Sequence, residues 1–216
     1  MVSIGVVDDH EIVREGFKRL IELEQGLTVS DEYSCYDDAV EGLRKQCVDL
    51  LIVDVSLQGK SGIELMGYVN SEYPQIRIIA LSMYDNEPYV SQAINNGALA
   101  YLSKRIAPVE LVDAIKFVLK GETYLSQDVA ANVKSSHIEQ SNNNINRLTD
   151  REFEIFKLLA KGFFVKEIAT KLDVQPKTVH THKANLFKKL EVKNRFELLR
   201  LALANNVLGY DELTEQ

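Results

Sequence analysis

The feature that most constrains the fold is a regular alternation through the first 120 residues. Short apolar or β-branched runs alternate with longer stretches of helical period. Runs such as Leu50-Leu51-Ile52-Val53 are apolar on both faces, which is typical of parallel strands covered by helices on both sides. Because crossovers between parallel strands are right-handed, the pattern predicts an α/β domain with a doubly wound, five-stranded parallel sheet.

The boundaries of the predicted elements follow from these runs. The strands are predicted at 3–7, 28–33, 50–54, 76–82 and 98–103, and the helices at 11–23, 37–45, 62–71, 87–95 and 108–119. We expect three parts in the chain: an α/β domain over 1–121, a polar linker over 122–146, and a second domain over 147–210.

The second domain has a wholly helical pattern. Thr149 with Glu152 predicts a capping box at the start of its first helix, and Gly162 ends that helix. A short helix over 165–172, a turn at Asp173-Val174 and a longer helix entered through Pro176 follow. With a last amphipathic helix over 195–205, these elements predict a small all-α, four-helix domain that contains a helix-turn-helix.

The two domains carry opposite charge. Residues 1–125 hold 11 bases and 20 acids, a net charge of −9, whereas residues 146–210 hold 13 bases and 7 acids, a net charge of +6. Such a contrast is either simple solubility patterning or the sign of a domain that binds a polyanion. We expect a cytoplasmic protein without membrane insertion, because no long apolar span or secretion signal is visible. Cys35 and Cys47 are expected to be plain buried thiols.

Carboxylates, a hydroxyl and a cation follow the strands of the first domain. Asp8 and Asp9 follow the first strand, Asp54 the third, Ser82 the fourth and Lys104 the fifth. Since sites in doubly wound sheets lie at the carboxyl ends of the strands, we expect these groups to converge. Clustered carboxylates suit Mg²⁺ or Mn²⁺, and a nucleophilic carboxylate beside a lysine suits phosphoryl transfer. Taken singly, each residue could instead be a helix cap, a turn residue or a solvated charge.

This domain resembles the receiver domains of two-component response regulators, which have a flavodoxin-like or CheY-like fold. The motifs that carry the resemblance are Val6-Val7-Asp8-Asp9-His10, Ile52-Val53-Asp54-Val55-Ser56, Gly62, Ala80-Leu81-Ser82 and Gly97-Ala98-Leu99-Ala100-Tyr101-Leu102-Ser103-Lys104.

The resemblance implies roles for these residues. Asp54 would accept phosphate from a sensor histidine kinase, while Asp8, Asp9, Asp54 and the backbone oxygen of Ser56 would hold the metal. Ser82 and Tyr101 would form a switch pair in which the ring follows the hydroxyl inward. The only chemistry then expected is slow autophosphorylation and autodephosphorylation at Asp54, so the chain would not be an enzyme. Two departures from the family, Gln58 and Arg105 in places where proline is common, predict altered loop rigidity.

The second domain resembles the helix-turn-helix domain of LuxR and NarL type regulators over about 147–209. The motifs are Leu148-Thr149-Asp150-Arg151-Glu152, Gly162, Lys166-Glu167-Ile168-Ala169, Thr178-Val179-His180-Thr181-His182, Asn185-Leu186 and Lys189-Leu190. By resemblance, His180, Thr181 and Ala184 face bases of promoter DNA. The expected phosphate contacts are Lys166, Lys177, Thr178, Lys183, Asn185 and Lys188. His182 is either a backbone contact or a partly buried structural residue.

The resemblance also implies partners. The last helix would form a homodimer contact on double-stranded DNA, and RNA polymerase would be a further partner. Within the family, the segments 102–105, 165–169 and 176–180 are most similar to regulators of hexose-phosphate uptake.

Two other functions stay open from the residues alone. One is a Mg²⁺-dependent phosphatase that uses an aspartyl phosphate, although such chemistry usually needs a second carboxylate where this chain has Ser56. The other is a DNA-binding regulator whose first domain is gated by a partner or a ligand instead of phosphate.

Overall fold

The fold is described by a computed structural model that covers residues 1–46, 48–85, 87–105, 107–135, 145–205 and 207–208. The strands are β1 (Val2–Val7), β2 (Leu27–Tyr33), β3 (Leu50–Asp54), β4 (Arg77–Ser82), β5 (Ala100–Ser103) and β6 (Tyr124–Leu125). The helices of the first domain are α1 (Glu11–Glu22), α2 (Tyr36–Lys45), α3 (Gly62–Glu72), α4 (Glu87–Asn95), α5 (Ala107–Leu119) and α6 (Gln127–Ser135).

The sheet is parallel throughout, in the order β2-β1-β3-β4-β5-β6. This confirms the predicted doubly wound fold and adds one strand to the five predicted. The sixth strand, β6, lies in the segment assigned to the linker, where Tyr124 and Leu125 are buried and pair with Ala100 and Tyr101. A run of two apolar residues is too short to show a strand period, so tertiary pairing creates this strand.

Two apolar layers cover the sheet. On one face, α1 and α5 contribute Phe17, Ile21, Leu111 and Ile115. On the other face, the layer under α2, α3 and α4 continues without a break into the core of the second domain. The two domains therefore share one apolar cluster in this structure.

The second domain contains a short 3₁₀ turn (Ile145–Arg147) and the helices α7 (Asp150–Ala160), α8 (Val165–Lys171), α9 (Pro176–Leu190) and α10 (Arg195–Ala204). The predicted capping box is present, since Thr149 Oγ1 accepts the Glu152 amide while the Glu152 carboxylate accepts the Thr149 amide. Gly162 follows α7 with φ +106°, the left-handed conformation that glycine adopts at low cost. Pro176 stands in the first turn of α9, as predicted.

The domains are docked against each other. The Phe196 amide at the start of α10 donates to Asn95 Oδ1 at the end of α4, at 3.1 Å. Arg77 on β4 forms an ion pair with Glu167 on α8, at 2.7 Å. The Thr123 amide donates to the Lys161 carbonyl oxygen. These contacts join residues 38 to 101 positions apart in sequence, which no local pattern could predict. None of the helices in the described ranges combines the length and the hydropathy of a membrane span.

Candidate functional site

The strand register brings the predicted pocket residues to one edge of the sheet. Val7 pairs with Val53, so Asp8 and Asp54 leave their strands at the same level. Ser82 pairs with Ser103, so Lys104 follows one residue beyond. Helix α3 begins close to this edge: a Cβ on Gly62 would lie 1.8 Å from the Asp54 carbonyl oxygen, so only glycine fits there. Topology and register alone therefore place the acidic groups around one point.

Lys104 is the centre of the pocket's electrostatics. Its ammonium lies 2.6 Å from Asp8 Oδ2 and 2.8 Å from Asp54 Oδ2, and the lysine side chain is 11% exposed. The Ser56 amide donates to Asp54 Oδ1 at 3.1 Å, which orients the carboxylate from the other side. One cation thus bridges two buried carboxylates, and the group keeps a negative charge.

The pKa values of Asp54 and Lys104 reflect the presence of one ammonium between two buried carboxylates. Burial raises the pKa of Asp54 above its ordinary value, because lost hydration and the Asp8 charge outweigh the Lys104 ammonium and the Ser56 amide. Burial alone would lower the pKa of Lys104, but the hydrogen bonds and charges of Asp54 and Asp8 raise it above the ordinary value. A further cation would relieve the excess negative charge.

The donor set fits a hard divalent metal ion. Ligand atoms of Asp8, Asp9, His10 and Asp54 lie within 4.8 Å of one another. Asp8 Oδ2 and Asp9 Oδ1 are buried and accept no hydrogen bond of good geometry in the described part of the chain, although the nitrogens of Lys104 and His10 lie close. Oxygen atoms oriented this way suit Mg²⁺ or Mn²⁺.

His10 is a member of this group to which the sequence analysis assigned no role. Its Nδ1 lies 2.8 Å from Asp9 Oδ1 and 3.2 Å from Asp8 Oδ1, and its side chain is 66% exposed. The signal for it was present, because it directly follows the two aspartates.

The expected switch pair lies beside the pocket. Ser82 is fully buried, and its Oγ accepts the Tyr84 amide at 3.0 Å. The ring of Tyr101 is already fully buried, with its hydroxyl donating to the Tyr84 carbonyl oxygen at 2.7 Å. Burial raises the pKa of Tyr101 to about 12. In this structure, therefore, the ring already occupies the inward position that the resemblance associates with the switched state.

Arg105, which stands where the resembling family commonly has proline, contacts the loop after β4, helix α6 and the end of β5. Its guanidinium forms an ion pair with Asp85 in the loop after β4 and lies 3.6 Å from Asp128 on α6. Its Nε donates to Ser103 Oγ at 3.3 Å. A residue that replaces a common proline thus ties the loop of the switch pair to α6. The other departure, Gln58, lies exposed after β3, and nothing in the structure explains it.

Helix α9 presents most of its predicted DNA-contact residues to solvent. Val179, Leu186 and Leu190 are buried, as predicted. The exposed residues are Lys177, Thr178, His180, Thr181, Ala184, Asn185 and Lys188, together with Lys166 on α8. Lys183 and His182 are only half-buried, and burial lowers the pKa of Lys183.

Helix α10 is covered by the chain's own first domain. Its apolar residues, including Phe196, Leu199 and Leu203, are buried in the shared cluster that also contains α4 and α6 residues. The Arg195 guanidinium donates to the Gly162 carbonyl oxygen at 3.2 Å and lies 3.4 Å from Thr123 Oγ1. Burial lowers the pKa of Arg195 to about 10. The helix expected to contact a second subunit is thus occupied within one chain.

The thiols were only partly as expected. Cys35 is free and half-buried, where a buried side chain was expected. Its position at the cap of α2, and not within the helix, leaves it partly open to solvent. Cys47 lies outside the described residues.

Known families match both domains. Residues 4–116 match the response regulator receiver domain, and residues 146–202 match the bacterial regulatory proteins of the luxR family. The response regulator UvrY of Escherichia coli is 34% identical over 218 residues, covering 100% of both chains. The transcriptional regulatory protein UhpA of Escherichia coli is 41% identical over 201 residues, covering 93% of this chain and 97% of UhpA.

Solved structures of the response regulator RcsB are also similar. One shows RcsB of Salmonella enterica bound to promoter rprA in the presence of the phosphomimetic BeF3⁻; it is 28% identical, covers 95% of this chain and 100% of that chain, and has a TM-score of 0.58. Another shows two RcsB dimers bound to two parallel DNAs, with 29% identity, coverage of 94% and 98%, and a TM-score of 0.58. The chain is a DNA-binding response regulator of a two-component system, made of a receiver domain and a LuxR-type helix-turn-helix domain.

Proposed function

We propose that Asp54 is the phosphoacceptor of this response regulator and that a sensor histidine kinase supplies the phosphoryl group. The main observation that supports this proposal is that the buried carboxylates of Asp8 and Asp54 both lie within 2.8 Å of the Lys104 ammonium at the strand ends. An Asp54 oxygen would attack phosphorus as the bond from phosphorus to the kinase histidine breaks, which leaves an acyl phosphate on Asp54 and the nitrogen lone pair on the histidine.

The neighbouring groups have separate tasks in this proposal. Asp8, Asp9, Asp54 and the Ser56 carbonyl oxygen would hold Mg²⁺ or Mn²⁺, which supplies positive charge to the transferring oxygens. Lys104 can leave Asp54 for a phosphoryl oxygen, because its other partner, Asp8, keeps it in place. Ser82, fully buried at the next strand end, would donate its hydroxyl to the phosphoryl group. Slow autophosphorylation and autodephosphorylation are the only reactions we expect.

Tyr101 would report the state of the pocket. Its hydroxyl is held by the Tyr84 carbonyl oxygen, and the Tyr84 amide is held by Ser82 Oγ. If Ser82 turns toward a phosphoryl group, the loop that contains Tyr84 loses this contact and Arg105 moves with Asp85. The change would then reach α6 and, through α6, helix α10.

The docked arrangement of the two domains indicates which step phosphorylation would control, namely dimerisation through α10. Because α9 is largely exposed while α10 is covered by the receiver, the docked form limits dimerisation more than access of α9 to a DNA groove. We propose that phosphorylation favours release of α10, which then pairs with α10 of a second copy on two-fold related promoter sites.

On DNA, we propose that His180, Thr181 and Ala184 read base edges in the major groove. The phosphate contacts would be Lys166, Lys177, Thr178, Lys183, Asn185 and Lys188. Their exposure supports this assignment for all but Lys183, which must leave the domain boundary first. RNA polymerase is the expected further partner, and the bacterial cytoplasm is the expected location. We keep 1–121, 122–146 and 147–210 as the proposed limits of receiver, linker and DNA-binding domain, with the linker's β6 and α6 packed on the receiver.

Asp54→Asn tests the proposal. With Mg²⁺ and a small phosphoryl donor, the natural protein should incorporate about one phosphoryl group per chain, and the variant none. Asp37→Asn, a change on the exposed surface of α2, should label normally. Beryllium fluoride should increase dimerisation and DNA retention in the natural protein and in the control. Full labelling of the Asp54 variant would refute the assignment, and donor-independent DNA binding would favour gating by a ligand or a partner.

A further inference from the structure

A cavity of about 200 Å³ lies where the two domains meet. The receiver contributes Asn70 from α3, with Asn95 and Gly97 from the end of α4. The second domain contributes Lys183 from α9 and Arg195 from α10. A ligand in this cavity would therefore contact both domains at once, and domain boundaries are common places for small-molecule sites.

The polar groups of the cavity wall are cationic or neutral. Lys183 has no hydrogen bond or ion pair with any described residue, and its ammonium lies 5.4 Å from the centre of the Phe187 ring. Its pKa is lowered first by burial and then by the charge of Arg195. The described residues of the cavity wall thus carry two positive charges and no carboxylate. Glu167, whose charge acts on Arg195 from outside the wall, is paired with Arg77.

The receiver contributes a neutral donor to the same cavity. The side-chain amide of Asn70 has no hydrogen bond to any described residue, whereas Asn95 Oδ1 already accepts the Phe196 amide. The exposed amide of Asn70 and the half-buried ammonium of Lys183 both line the space, so it offers hydrogen-bond donors from two residues that have no hydrogen bond to a described residue. This arrangement suits the two oxygens of a carboxylate.

The remaining wall is apolar and partly aromatic. Ile94, Leu159, Phe163, Phe187 and Leu198 line it. These side chains would favour a short hydrocarbon body over a fully hydrated inorganic ion, because they cannot replace the hydration of its other oxygens. We infer that the cavity binds a small organic carboxylate, with its charge between Lys183 and Asn70 and its apolar body against Phe187 and Leu198.

Such a ligand would act as a negative effector. It would bind the docked form more tightly than a separated form, because its contacts come from both domains, so it would shift the population toward docking. It would also occupy Lys183, which is one of the proposed phosphate contacts on DNA. Binding itself is independent of the proposed role of Asp54; only the effect on DNA rests on the proposed function.

Benzoate is a suitable probe, with benzamide as its uncharged counterpart. Titration calorimetry on the full chain should show saturable benzoate binding with a Kd of about 1 mM or below, as expected for a ligand of this size. Lys183→Gln should weaken binding at least about ten-fold, and benzamide should bind at least about ten-fold more weakly than benzoate. Lys177→Gln, an exposed lysine on the same helix, is the matched control and should leave the Kd within about two-fold.

Several outcomes would overturn the inference. These are no saturable binding of benzoate, equal losses in the Lys183 and Lys177 variants, equal affinity for benzamide, and equal Lys183-dependent affinity for inorganic phosphate. An Asp54→Asn chain should bind benzoate normally, so failure of the cavity and failure of the phosphoacceptor assignment are distinguishable. With DNA present, benzoate should reduce retention of the natural protein. Lys183→Gln, which also loses a proposed phosphate contact and so starts from lower retention, should lose a smaller share of it to benzoate.

Discussion

The acidic pocket at the strand ends and the domain boundary are both held by ionic groups, but the two groups differ in burial and in origin. In the pocket, Lys104 and its partners Asp8 and Asp54 are 11%, 1% and 2% exposed. At the boundary, Arg77 and Glu167 are 21% and 31% exposed. The pocket has more acids than bases, whereas the boundary has two arginines, Arg77 and Arg195, near one glutamate. The ion-pair distances are similar, 2.6 and 2.8 Å in the pocket and 2.7 Å at the boundary, but the more exposed boundary pair contributes less free energy.

The two ionic groups also differ in the structural elements that hold them, and this difference decides whether the charges stay in fixed positions. Parallel strands place consecutive loops at one edge, so the pocket residues keep their positions as long as the sheet is intact. The boundary residues belong to two different domains, which separate in the proposed mechanism. A fixed, negatively charged pocket suits a metal ion and a phosphoryl group, and a separable, positively charged boundary suits regulation.

The largest expected effect is at the pocket. Lys104→Met removes the cation that, within the described part of the chain, bridges Asp8 and Asp54, and so leaves two buried carboxylates without it. Breaking a buried pair in this way costs about 3 kcal/mol of unfolding free energy. Because Mg²⁺ no longer competes with an ammonium, it should raise the melting temperature of the variant more than that of the natural protein. Thermal melts without Mg²⁺ and with saturating Mg²⁺ measure both effects.

Lys60→Met is the control for this comparison. Lys60 is 58% exposed and lies 3.4 Å from Asp37, so its removal should change the stability by less than about 0.5 kcal/mol. A Lys104 variant as stable as the Lys60 variant without Mg²⁺ would mean that the pocket carboxylates are not coupled through the lysine.

An intermediate effect is expected at a local motif of the second domain. The Glu152 carboxylate accepts the Thr149 amide at 2.8 Å and binds the Lys189 ammonium at 2.6 Å. Lys189 first, and then the Thr149 amide, lower the pKa of Glu152. Glu152→Gln should therefore cost about 1 kcal/mol at pH 7.

The pH dependence of this cost has a definite sign. A carboxyl group with a lowered pKa in the folded state stabilises the fold above its unfolded pKa of about 4.3, and this contribution is lost as the pH falls through the folded value. The difference between Glu152→Gln and the natural protein, measured by urea unfolding of the full chain, should stay near its pH 7 size down to about pH 5 and shrink as the pH falls below about 4.3. Glu154 lies two residues further along α7 and is 50% exposed, so Glu154→Gln should change the unfolding free energy little at any pH. If the difference in unfolding free energy did not change with pH, the loss would come from altered packing or hydrogen bonding and not from the charge of Glu152.

These groups also show how much of the molecule the sequence predicts. The parallel sheet and the capping box at Thr149 were predicted because each depends on a local pattern of the chain. The convergence of Asp8, Asp54 and Lys104 could be predicted because topology fixes where strand ends meet. The roles proposed for these residues stay predictions. Strand β6 and the bridging role of Arg105 could not be predicted, since both depend on tertiary neighbours.

The domain boundary was the least predictable region. The polar stretch after the receiver indicates a linker, but a linker is compatible with docked and with separated domains. The charge difference between the domains favours attraction without selecting a surface. The contact between α4 and α10 arises because both helices have apolar faces that can also serve other partners, and sequence alone does not choose between them.

The smallest expected effect is at the boundary, where Arg77→Gln removes the ion pair with Glu167. Since both side chains are partly exposed, the pair should contribute only about 0.5 kcal/mol, a two-fold to three-fold change in the ratio of docked to separated forms. The Thr123 amide reports this ratio, because it donates to the Lys161 carbonyl oxygen of the other domain. Its hydrogen exchange should become about two-fold to three-fold faster in Arg77→Gln.

Arg44→Gln, an exposed change on α2, should leave the exchange of the Thr123 amide unchanged. If Arg77→Gln instead abolished protection, the boundary would depend on its charges as strongly as the pocket does, and the contrast between the two regions would fail. A small effect would mean that docking depends mainly on the apolar surfaces of α4 and α10. A weak ionic contribution of this kind suits the proposed switch, because phosphorylation would not have to break a strong ion pair to release α10.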